Sequence, residues 1–401
     1  MIKKYMKIEV VGVPVVNYKA INEILEEDFS EGERHETILE LMKFSQACAR
    51  QCYSDKDFSE LSEEGYNPDL IEGRILKSGH HSVFEHINFS IYMNGIPKIL
   101  AMIFNNEKQY ATSEKSARYT KMKDMEPLQR EKYDFWMGAL IPEIDKIFPQ
   151  GGDKEARELN VRKLAQENAR YVTSVFTPTK MVHTINWRQL NFLLNEFERG
   201  EIFHSEFDLT ERLVPYMKDF FELTKGLKVE GLENQTDRGL SLFSDRNVET
   251  HFGDTYSLQY LMSFAGLAQA HRHRTINYHV SDGTQLQSQL GYFIPKILRD
   301  KKDLKEKWLD DLSEVSKGDF PQAQLLKVNE RGIIEDFRSK AILRMCGHAQ
   351  HEIMENTLET AKKYSQYQKE NENALTPKCQ QDLKCRGACV WGGKNALERL
   401  V

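Results

Sequence analysis

The sequence predicts an α+β fold built from two related copies. Most of the 401 residues lie in segments with apolar side chains at helical spacing, while a few short segments alternate apolar and polar residues as strands do. The two halves also present a loop, charged helices, a strand carrying Asn-x-Arg and a long helix in the same order. We therefore predict a first copy at 1–230, a second copy at 231–370 and a separate tail at 371–401.

The first half is predicted to consist mostly of helices, with a few short strands. An amphipathic helix is predicted at 33–53, and a second helix at 67–79 runs from an Asn cap to Gly79. The alternation of Ile87, Phe89, Ile91 and Met93 predicts a half-buried strand within 84–95. The remaining predictions are a helix at 97–104, a polar loop holding SEKSARYT, helices at 126–146 and 154–172, and a strand in TPTKMVHTINW.

The second half follows a segment at 226–250 that is rich in Gly, Asn and charge, which we interpret as the domain boundary. Predicted beyond it are an apolar helix at 254–270, the basic segment 271–274, a charged helix at 300–316, a strand at 323–328 and one long helix at 332–364. The strand-to-helix joins would be TINWRQL (184–190) and KVNERGI (327–333), each with Asn, one residue and Arg.

Composition and charge exclude several classes of protein. With 55 Lys and Arg against 61 Asp and Glu, the net charge of −6 argues against a dedicated nucleic-acid binder. The sequence has no run of 18 apolar residues, so we expect no membrane span. The start, MIKKYMKIEVVGVPVV, reads as a first strand rather than a signal peptide. Six cysteines without a disulfide-framework spacing favour a reducing cytoplasm.

Several short motifs could carry chemistry, and each has an ordinary structural interpretation beside the functional one. Arg272, His273 and Arg274 follow an apolar helix and could bind a phosphate, or could simply complement the helix dipole. SARY (116–119) could bind phosphate through backbone N–H groups and Arg118, or be a surface turn. HHSVFEH (80–86) has three histidines, but polar contacts by Ser82 and Glu85 fit it better than zinc.

Taken together, these motifs resemble those of the flavin-dependent thymidylate synthase family. The first copy, at about 33–225, carries ARQCYS, HHSVFEH, SARY, ENARYV and TINWRQL, and the second, at about 248–365, carries RHRT, KVNERG and RMCGHAQHEI. The resemblance implies methylation of dUMP to dTMP with methylenetetrahydrofolate, using bound FAD that NADPH reduces. It also implies small antiparallel sheets flanked by long helices, with the two copies packed as a pseudo-dimer.

The resemblance further implies roles for individual residues. Those expected to face flavin are Ser82, Glu85, Arg272, His273, Arg274, Asn186, Arg188, Asn329 and Arg331. Those expected to bind dUMP are Ser116, Ala117, Arg118, Arg170 and Arg344. Among the latter, Arg118, Arg170 and Arg344 would serve catalysis by holding the phosphate and polarising the carbonyls of the pyrimidine.

Neither copy contains the whole motif set. Where the first copy should carry Arg-His-Arg it has Asn106-Glu107-Lys108, and a carboxylate there would repel the FAD pyrophosphate. The second copy lacks a SARY-like loop after its Arg-His-Arg. We therefore expect two composite sites of unequal quality per chain, at least one of which combines Arg118 or Arg170 with Arg344 or Arg272. Two alternatives remain: action on another pyrimidine nucleotide, or nucleotide and flavin binding without synthase activity.

Two further expectations concern assembly and the tail. Members of the family are homotetramers, so a chain with two copies should form a homodimer. In the tail, Cys379, Cys385 and Cys389 are spaced C-x5-C-x3-C. Three thiolates could hold zinc or an iron–sulfur cluster with a fourth ligand, although the spacing matches neither usual pattern, and free thiols are the alternative.

Overall fold

The structure is a computed structural model. It describes residues 36–118, 120, 124–200, 208–232, 238–243, 248–280, 290–367, 375–381, 389–391 and 397–401. The predicted N-terminal strand and Cys385 lie outside these ranges. Within them the molecule is α+β, with two small antiparallel sheets among many helices, as the sequence predicts.

The helices that begin the first half confirm the predicted amphipathic segment. Helix α1 spans Glu36–Gln51, and the short α2 spans Phe58–Glu63. The segment predicted as one helix at 67–79 is instead a single turn, α3 at Pro68–Leu70, continued by a π-helical turn at Ile71–Leu76. The Asn67 side chain accepts a hydrogen bond from the Leu70 N–H at 3.2 Å, and Gly79 ends the segment with a left-handed φ of 74°.

The first sheet has the order β1-β3-β2, all antiparallel. Its strands are β1 at Asn88–Pro97, β2 at Tyr110–Glu114 and β3 at Pro178–Asn186, and α4 at Lys98–Phe104 follows β1 directly. Strand β1 begins later than predicted because His81–His86 forms a 3-10 helix that buries Val83 and Phe84. Ser113 and Glu114, expected in a loop, belong to β2 because they pair with β3.

Long helices complete the first half. They are α5 at Pro127–Ile147, α6 at Lys154–Ala169, α7 at Trp187–Arg199 and α8 at Asp208–Thr224. Asn186 caps α7 by accepting from the Gln189 N–H at 2.8 Å, and Gly200 ends α7 with a φ of 68°. The strand-to-helix join predicted at TINWRQL is thus confirmed.

The predicted helix at 254–270 is wrong in its first half. Residues Thr255–Ser263 form strand β5, and only Phe264–Ala270 is helical, as α9. Burial alternates along this segment as it does in a strand: Tyr256, Leu258 and Met262 are buried, and the residues between them are more exposed. Ser263 caps α9 by accepting from the Gly266 N–H at 3.0 Å.

The second sheet has the order β4-β5-β7-β6. Its other strands are β4 at His251–Phe252, β6 at Asn277–Val280 and β7 at Leu325–Ile333, and helices α10 at Lys296–Arg299 and α11 at Lys302–Ser316 lie between β6 and β7. The join predicted at KVNERGI is wrong, because that segment lies inside β7. Asn329 pairs there with Gln259 and His279, and the helix starts only after Ile333.

The predicted long helix at 332–364 is two helices, α12 at Ile334–Arg344 and α13 at His351–Tyr367. Between them, residues 345–350 form a turn that contains Gly347, a residue unfavourable inside helices. The turn is closed by a hydrogen bond from the Ala349 N–H to the Cys346 carbonyl at 2.9 Å. This interruption places Arg344 at a helix end.

The two sheets share more than their strand order. Helix α4 follows β1 as α9 follows β5, and Asn186 and Ile333 lie opposite the first residues of those strands. The Lys98 and Phe264 N–H groups, which begin the two helices, donate to Thr177 and Gln324 carbonyls at 3.2 and 3.3 Å. By this register, residues 98–114 correspond to 264–280 and residues 170–199 to 317–346. We call such pairs register counterparts.

Main-chain contacts join the two halves. Ser174 and Pro321, which are register counterparts, form an antiparallel bridge. On either side of it the Val175 N–H donates to the Phe320 carbonyl at 2.9 Å, and the Gln322 N–H donates to the Thr173 carbonyl at 2.8 Å. The donor and acceptor of one bond are the register counterparts of the donor and acceptor of the other. A two-fold axis would produce the same pattern.

The hydrophobic cores also cross between the halves. One cluster contains Phe84 and Trp187 together with Phe264 and Tyr278, and another brings Trp136 within 4.8 Å of Trp308, centroid to centroid. The boundary segment contributes Leu240, Leu242 and Phe243 to the first cluster. In the described part of the chain, no helix has the length and apolar character that crossing a membrane requires.

Candidate functional site

A pocket of about 240 Å³ lies between the halves and is lined by an unusual number of cations. Its lining comprises six cations and four small or amide residues: Lys98, Lys115, Arg118, Arg170, Arg272 and Arg344, with Ser116, Ala117, Ala268 and Gln269. We call it the cationic pocket. It contains all five residues expected to bind dUMP, and Arg272 of the set expected to face flavin.

The loop after β2 supplies one wall of the cationic pocket. The Arg118 N–H donates to Ser116 Oγ at 3.3 Å, and Gln166 Nε2 donates to the Ala117 carbonyl at 3.2 Å, so the loop is anchored on α6. Arg118 itself is clamped at both ends of its guanidinium. Its Nε donates to Glu167 at 2.5 Å, and its Nη2 donates to the His348 carbonyl of the other half at 2.8 Å.

Arg170 forms the deepest part of the cationic pocket. It follows α6 and is only 4% exposed, and burial lowers the pKa of its guanidinium, which nevertheless remains charged. Its Nη2 donates to Gln350 Oε1 at 2.5 Å, whereas its buried Nε has no hydrogen-bond partner among the described residues. A buried donor left in this way costs free energy unless something else accepts from it.

The three residues of the Arg-His-Arg segment lie in different environments. Arg272 is exposed and lines the cationic pocket, while Arg274 turns away and donates to the Tyr110 carbonyl at 2.7 Å. His273 is buried, and desolvation, with the nearby Arg344 and Lys340, lowers its pKa to about 2. It is therefore neutral and accepts a hydrogen bond from Arg344 Nε at 2.7 Å, which orients the Arg344 guanidinium.

Behind the arginines lies a buried polar network centred on Glu352. Its carboxylate accepts from the Tyr171 hydroxyl at 2.6 Å and from the Ser263 N–H and hydroxyl, both at 2.7 Å. Burial raises the pKa of Glu352, and these hydrogen bonds lower it in part. Gln350 connects the network to the cationic pocket, since it bonds to Tyr171, Gln269 and Arg170. Gln269 Oε1, by contrast, has no partner within the described residues.

Two carboxylates offset part of the positive charge. Glu114 pairs with Lys98, and Glu167 pairs with Arg118. Burial lowers the pKa of Lys98, an effect that Glu114 opposes. Because six cations line the cationic pocket and these two acids lie behind it, the pocket favours an anionic ligand.

The other residues expected to face flavin lie outside the cationic pocket. Glu85 and Arg188 form an ion pair at 2.6 Å, each about half exposed, and Asn186 serves as the cap of α7. Ser82 is exposed on the 3-10 helix, and Arg331 is exposed on β7. Asn329 is buried and accepts from Gln259 Nε2 at 2.8 Å. The structure thus does not bring these residues together with Arg272.

Sequence reasoning missed Lys98, Lys115 and Gln269. Lys98 begins α4 and Lys115 follows β2, so neither belongs to a motif, and only the packing of the two halves brings them together. Gln269 stands two residues before His271 in the apolar helix, and a buried amide at a helix end was the available signal.

The cysteines supply no site that the structure describes. Cys379 is exposed and Cys389 is partly buried, and within the described residues no three possible metal ligands lie close together. Because Cys385 lies outside those residues, the metal interpretation of the tail stays a prediction.

Comparison with known proteins places the first half of the chain. Residues 35–196 match the family model Thy1, described as thymidylate synthase complementing protein. Over 162 residues the chain is 28% identical to a flavin-dependent thymidylate synthase of Clostridium tetani and 25% identical to one of Pyrococcus abyssi. These alignments cover 36% and 37% of this chain, and the chain spans only 64% and 62% of the length of those relatives.

Solved structures give a weaker similarity. A structure of thymidylate synthase X from Helicobacter pylori with FAD and dUMP matches 48% of this chain and 94% of its own, at 17% identity and a TM-score of 0.28. A second structure of that enzyme with FAD and dUMP matches at 18% identity and a TM-score of 0.26. The similarity to the thymidylate synthase complementing protein family therefore rests on the sequence comparisons, in which residues 35–196 of this chain match the family model.

Proposed function

We propose that the chain is a flavin-dependent enzyme that methylates dUMP to dTMP, with methylenetetrahydrofolate as carbon donor and NADPH as reductant. The observation that carries the proposal is the cationic pocket, in which cations from both halves surround one small volume. The C. tetani and P. abyssi relatives are flavin-dependent thymidylate synthases, which supports the same reaction.

The nucleotide phosphate would lie on the loop after β2. Ser116, Ala117 and Arg118 line the cationic pocket, and Arg118 is fixed in place by Glu167 and the His348 carbonyl. A guanidinium that is already ordered loses little side-chain entropy when it binds phosphate. Lys115 adds a further positive charge beside it.

The pyrimidine would meet two buried groups of the cationic pocket that have no hydrogen-bond partner among the described residues. They are the donor Arg170 Nε and the acceptor Gln269 Oε1. The edge of a uracil ring presents a carbonyl oxygen next to an N–H, so it offers one partner to each. Arg170 and Arg344 would then stabilise negative charge that develops on the carbonyl oxygens during reaction.

The residues of the cationic pocket also fit FAD in their chemistry. Arg272 is exposed there, and its guanidinium and the Lys98 ammonium are suitable donors for a pyrophosphate. When bound, the reduced flavin would supply the hydride needed to complete the methyl group. The chain's part is to hold the two ligands together, to keep His273 neutral so that Arg344 stays oriented, and to exclude water around Arg170.

Purified protein tests the proposal in two steps. We expect a yellow protein whose flavin absorbance is bleached by NADPH, and release of tritium from [5-³H]dUMP that requires methylenetetrahydrofolate. Flavin without tritium release from dUMP, but with turnover of another pyrimidine nucleotide, would favour the first alternative. Binding of nucleotide and flavin without any turnover would favour a non-synthase binding protein.

Assembly and location belong to the same proposal. The chain would act in the cytoplasm as a homodimer near twice its mass of 46.7 kDa, because interfaces between chains could bring the scattered residues Ser82, Glu85 and Arg188 to a flavin. Light scattering on the purified protein measures this directly. A monomer with full activity would show that one chain suffices.

A further inference from the structure

If the halves are related by the register described above, the cationic pocket must have a counterpart on the other side of the chain. The cationic pocket takes the end of α9 and Arg344 from the second half, and the start of α4, the loop after β2 and Arg170 from the first. Replacing each of these elements by its register counterpart defines the counterpart site. That site would be lined by the end of α4 and Phe197 from the first half, and by the start of α9 and Lys317 from the second.

The charges of the cationic pocket are almost all lost in the counterpart site. The register counterparts of Lys98, Arg272 and Arg344 are Phe264, Asn106 and Phe197. Only Arg170 has a cationic counterpart, Lys317. In the sequence, Lys115 and Arg118 correspond to Ser281 and Thr284, which lie outside the described residues.

Aromatic side chains occupy the position that Arg344 holds in the cationic pocket. Phe197 is fully buried, and its ring lies 5.6 Å from Phe104 and 5.6 Å from Phe220, measured between centroids. Phe220 comes from helix α8, which packs on both α4 and α7. The space at the end of α7 is therefore filled by the chain's own core.

The boundary segment covers Asn106 and Glu107, which follow α4 in the counterpart site. Asn106 Nδ2 donates to Ser241 Oγ at 2.8 Å and to the Tyr278 carbonyl at 3.0 Å. Glu107 is 1% exposed and pairs with Arg238 at 3.1 Å. We call residues 238–243 the covering segment. In the cationic pocket the counterpart of Asn106 is Arg272, which is exposed.

In place of two unequal sites, we propose that each chain carries a single nucleotide site, the cationic pocket. In the counterpart site, the end of α4 and Phe197 have become part of the core. The inference rests on the proposed function, since it takes dUMP as the ligand. It also explains why a carboxylate is present at Glu107. No ligand phosphate binds near it, and its charge is paired with Arg238 and the Ser241 N–H instead.

Isothermal titration of the flavin-loaded protein with dUMP tests this proposal. We expect one dUMP bound per chain, and after Arg344→Ala a single binding step that is weakened ten-fold or more. Two dUMP per chain, or a second step that survives Arg344→Ala, would overturn the single site. No binding to the parent protein would instead overturn the proposed function, so the two failures are distinct.

A variant in the covering segment provides the matched control. Arg238→Ala removes the ion pair to Glu107 but changes nothing in the cationic pocket, so the affinity for dUMP should stay within about two-fold of the parent. If Arg238→Ala instead creates a second dUMP step, the counterpart site is a covered but working site, and the inference is wrong. Circular dichroism of both variants confirms that the fold is retained.

Discussion

The cores behind the two sheets contain different residue types at corresponding positions. Buried charges lie behind the sheet whose helix ends in a pocket arginine, and apolar or neutral groups lie behind the other. In the second sheet, Glu330 is fully buried and accepts from Lys340 Nζ at 2.6 Å and from the Tyr256 hydroxyl at 2.7 Å. In the first sheet the register counterparts of Glu330, Lys340 and Tyr256 are His183, Leu193 and Phe89. One core is built around an ion pair, and the other around apolar and neutral groups.

The comparison teaches where a buried charge is tolerated. Two buried charges rarely stabilise a protein more than apolar residues would, so the Glu330–Lys340 pair is poor evidence for stability alone. Lys340 lies on α12, one turn before Arg344, whereas Leu193 lies on α7, one turn before Phe197. The Glu330–Lys340 ion pair holds α12, the helix that ends in Arg344, against the second sheet. In the first half, the corresponding apolar contact of Leu193 belongs to α7, whose Phe197 is buried in the core.

The largest expected effect comes from breaking this ion pair. Lys340→Met leaves the Glu330 carboxylate buried without its cation, which should lower the free energy of unfolding by about 3–5 kcal/mol. Urea unfolding measures the loss. The control is Leu193→Met at the matching position, which should cost less than about 1.5 kcal/mol. Equal losses at the two positions would show that the cores do not differ in this way.

The next effect concerns the cationic pocket. Arg118→Ala and Arg344→Ala each remove a charged hydrogen-bond donor, worth about 1.5–3 kcal/mol, so each should weaken dUMP binding by ten-fold or more. Arg272→Ala should chiefly lose flavin. Arg199→Ala, at the end of the matching helix α7 and largely exposed, is the control and should bind as the parent does. If Arg118→Ala and Arg344→Ala also bind like the parent, the composite site is wrong.

A smaller effect is expected at the close approach of α9 to Glu352. A Cβ on Gly266 would lie 2.7 Å from Met262 Cγ and 2.8 Å from Glu352 Cδ, so Gly266→Ala should destabilise the protein by about 1–3 kcal/mol. The register counterpart in α4 is Leu100, where a large side chain fits the core. Thermal unfolding of Gly266→Ala and of the control Leu100→Met separates the two environments. An unchanged melting temperature for Gly266→Ala would contradict the close packing.

The last prediction concerns the core of the first sheet and how its stability depends on pH. His183 is fully buried without a hydrogen-bond partner among the described residues, and desolvation lowers its pKa to about 4. The unfolded chain therefore binds a proton below pH ~6.5 that the native state refuses until about pH 4, so this stability is present above pH 6.5 and declines as the pH falls, by about 1.4 kcal/mol per unit. His183→Leu should flatten that slope in urea unfolding between pH 7 and 5. A slope identical to the parent's would assign the acid sensitivity to other groups.

Sequence reasoning succeeded where a local pattern determines local structure. The alternation in β1, the cap at Asn67 and the strand-to-helix join at TINWRQL predict elements that the structure contains. It failed at β5, because Tyr and Leu spaced for a strand continue directly into the apolar helix α9 without a Gly or Pro between them. It also failed at residues 345–350, because the turn depends on contacts with the other half, such as that of Arg118 with His348.

The residues of the candidate site also separate into those that sequence reasoning found and those that it missed. Arg118, Arg170 and Arg344 lie in recognisable motifs, so the resemblance could identify them. Lys98, Lys115 and Gln269 have no motif, and their contribution arises only when α4, β2 and α9 meet. The asymmetry between the cationic pocket and its counterpart depends on which half each residue comes from, and no short motif contains that information.

The bridge between Ser174 and Pro321 has a consequence for how the site responds to dilution. Where a pocket forms between separate chains, its occupancy falls with protein concentration as the chains dissociate. Here the two walls of the cationic pocket are joined by main-chain hydrogen bonds within one polypeptide, so each wall sees the other at a fixed effective concentration. The cationic pocket should therefore persist at concentrations where any dimer has come apart.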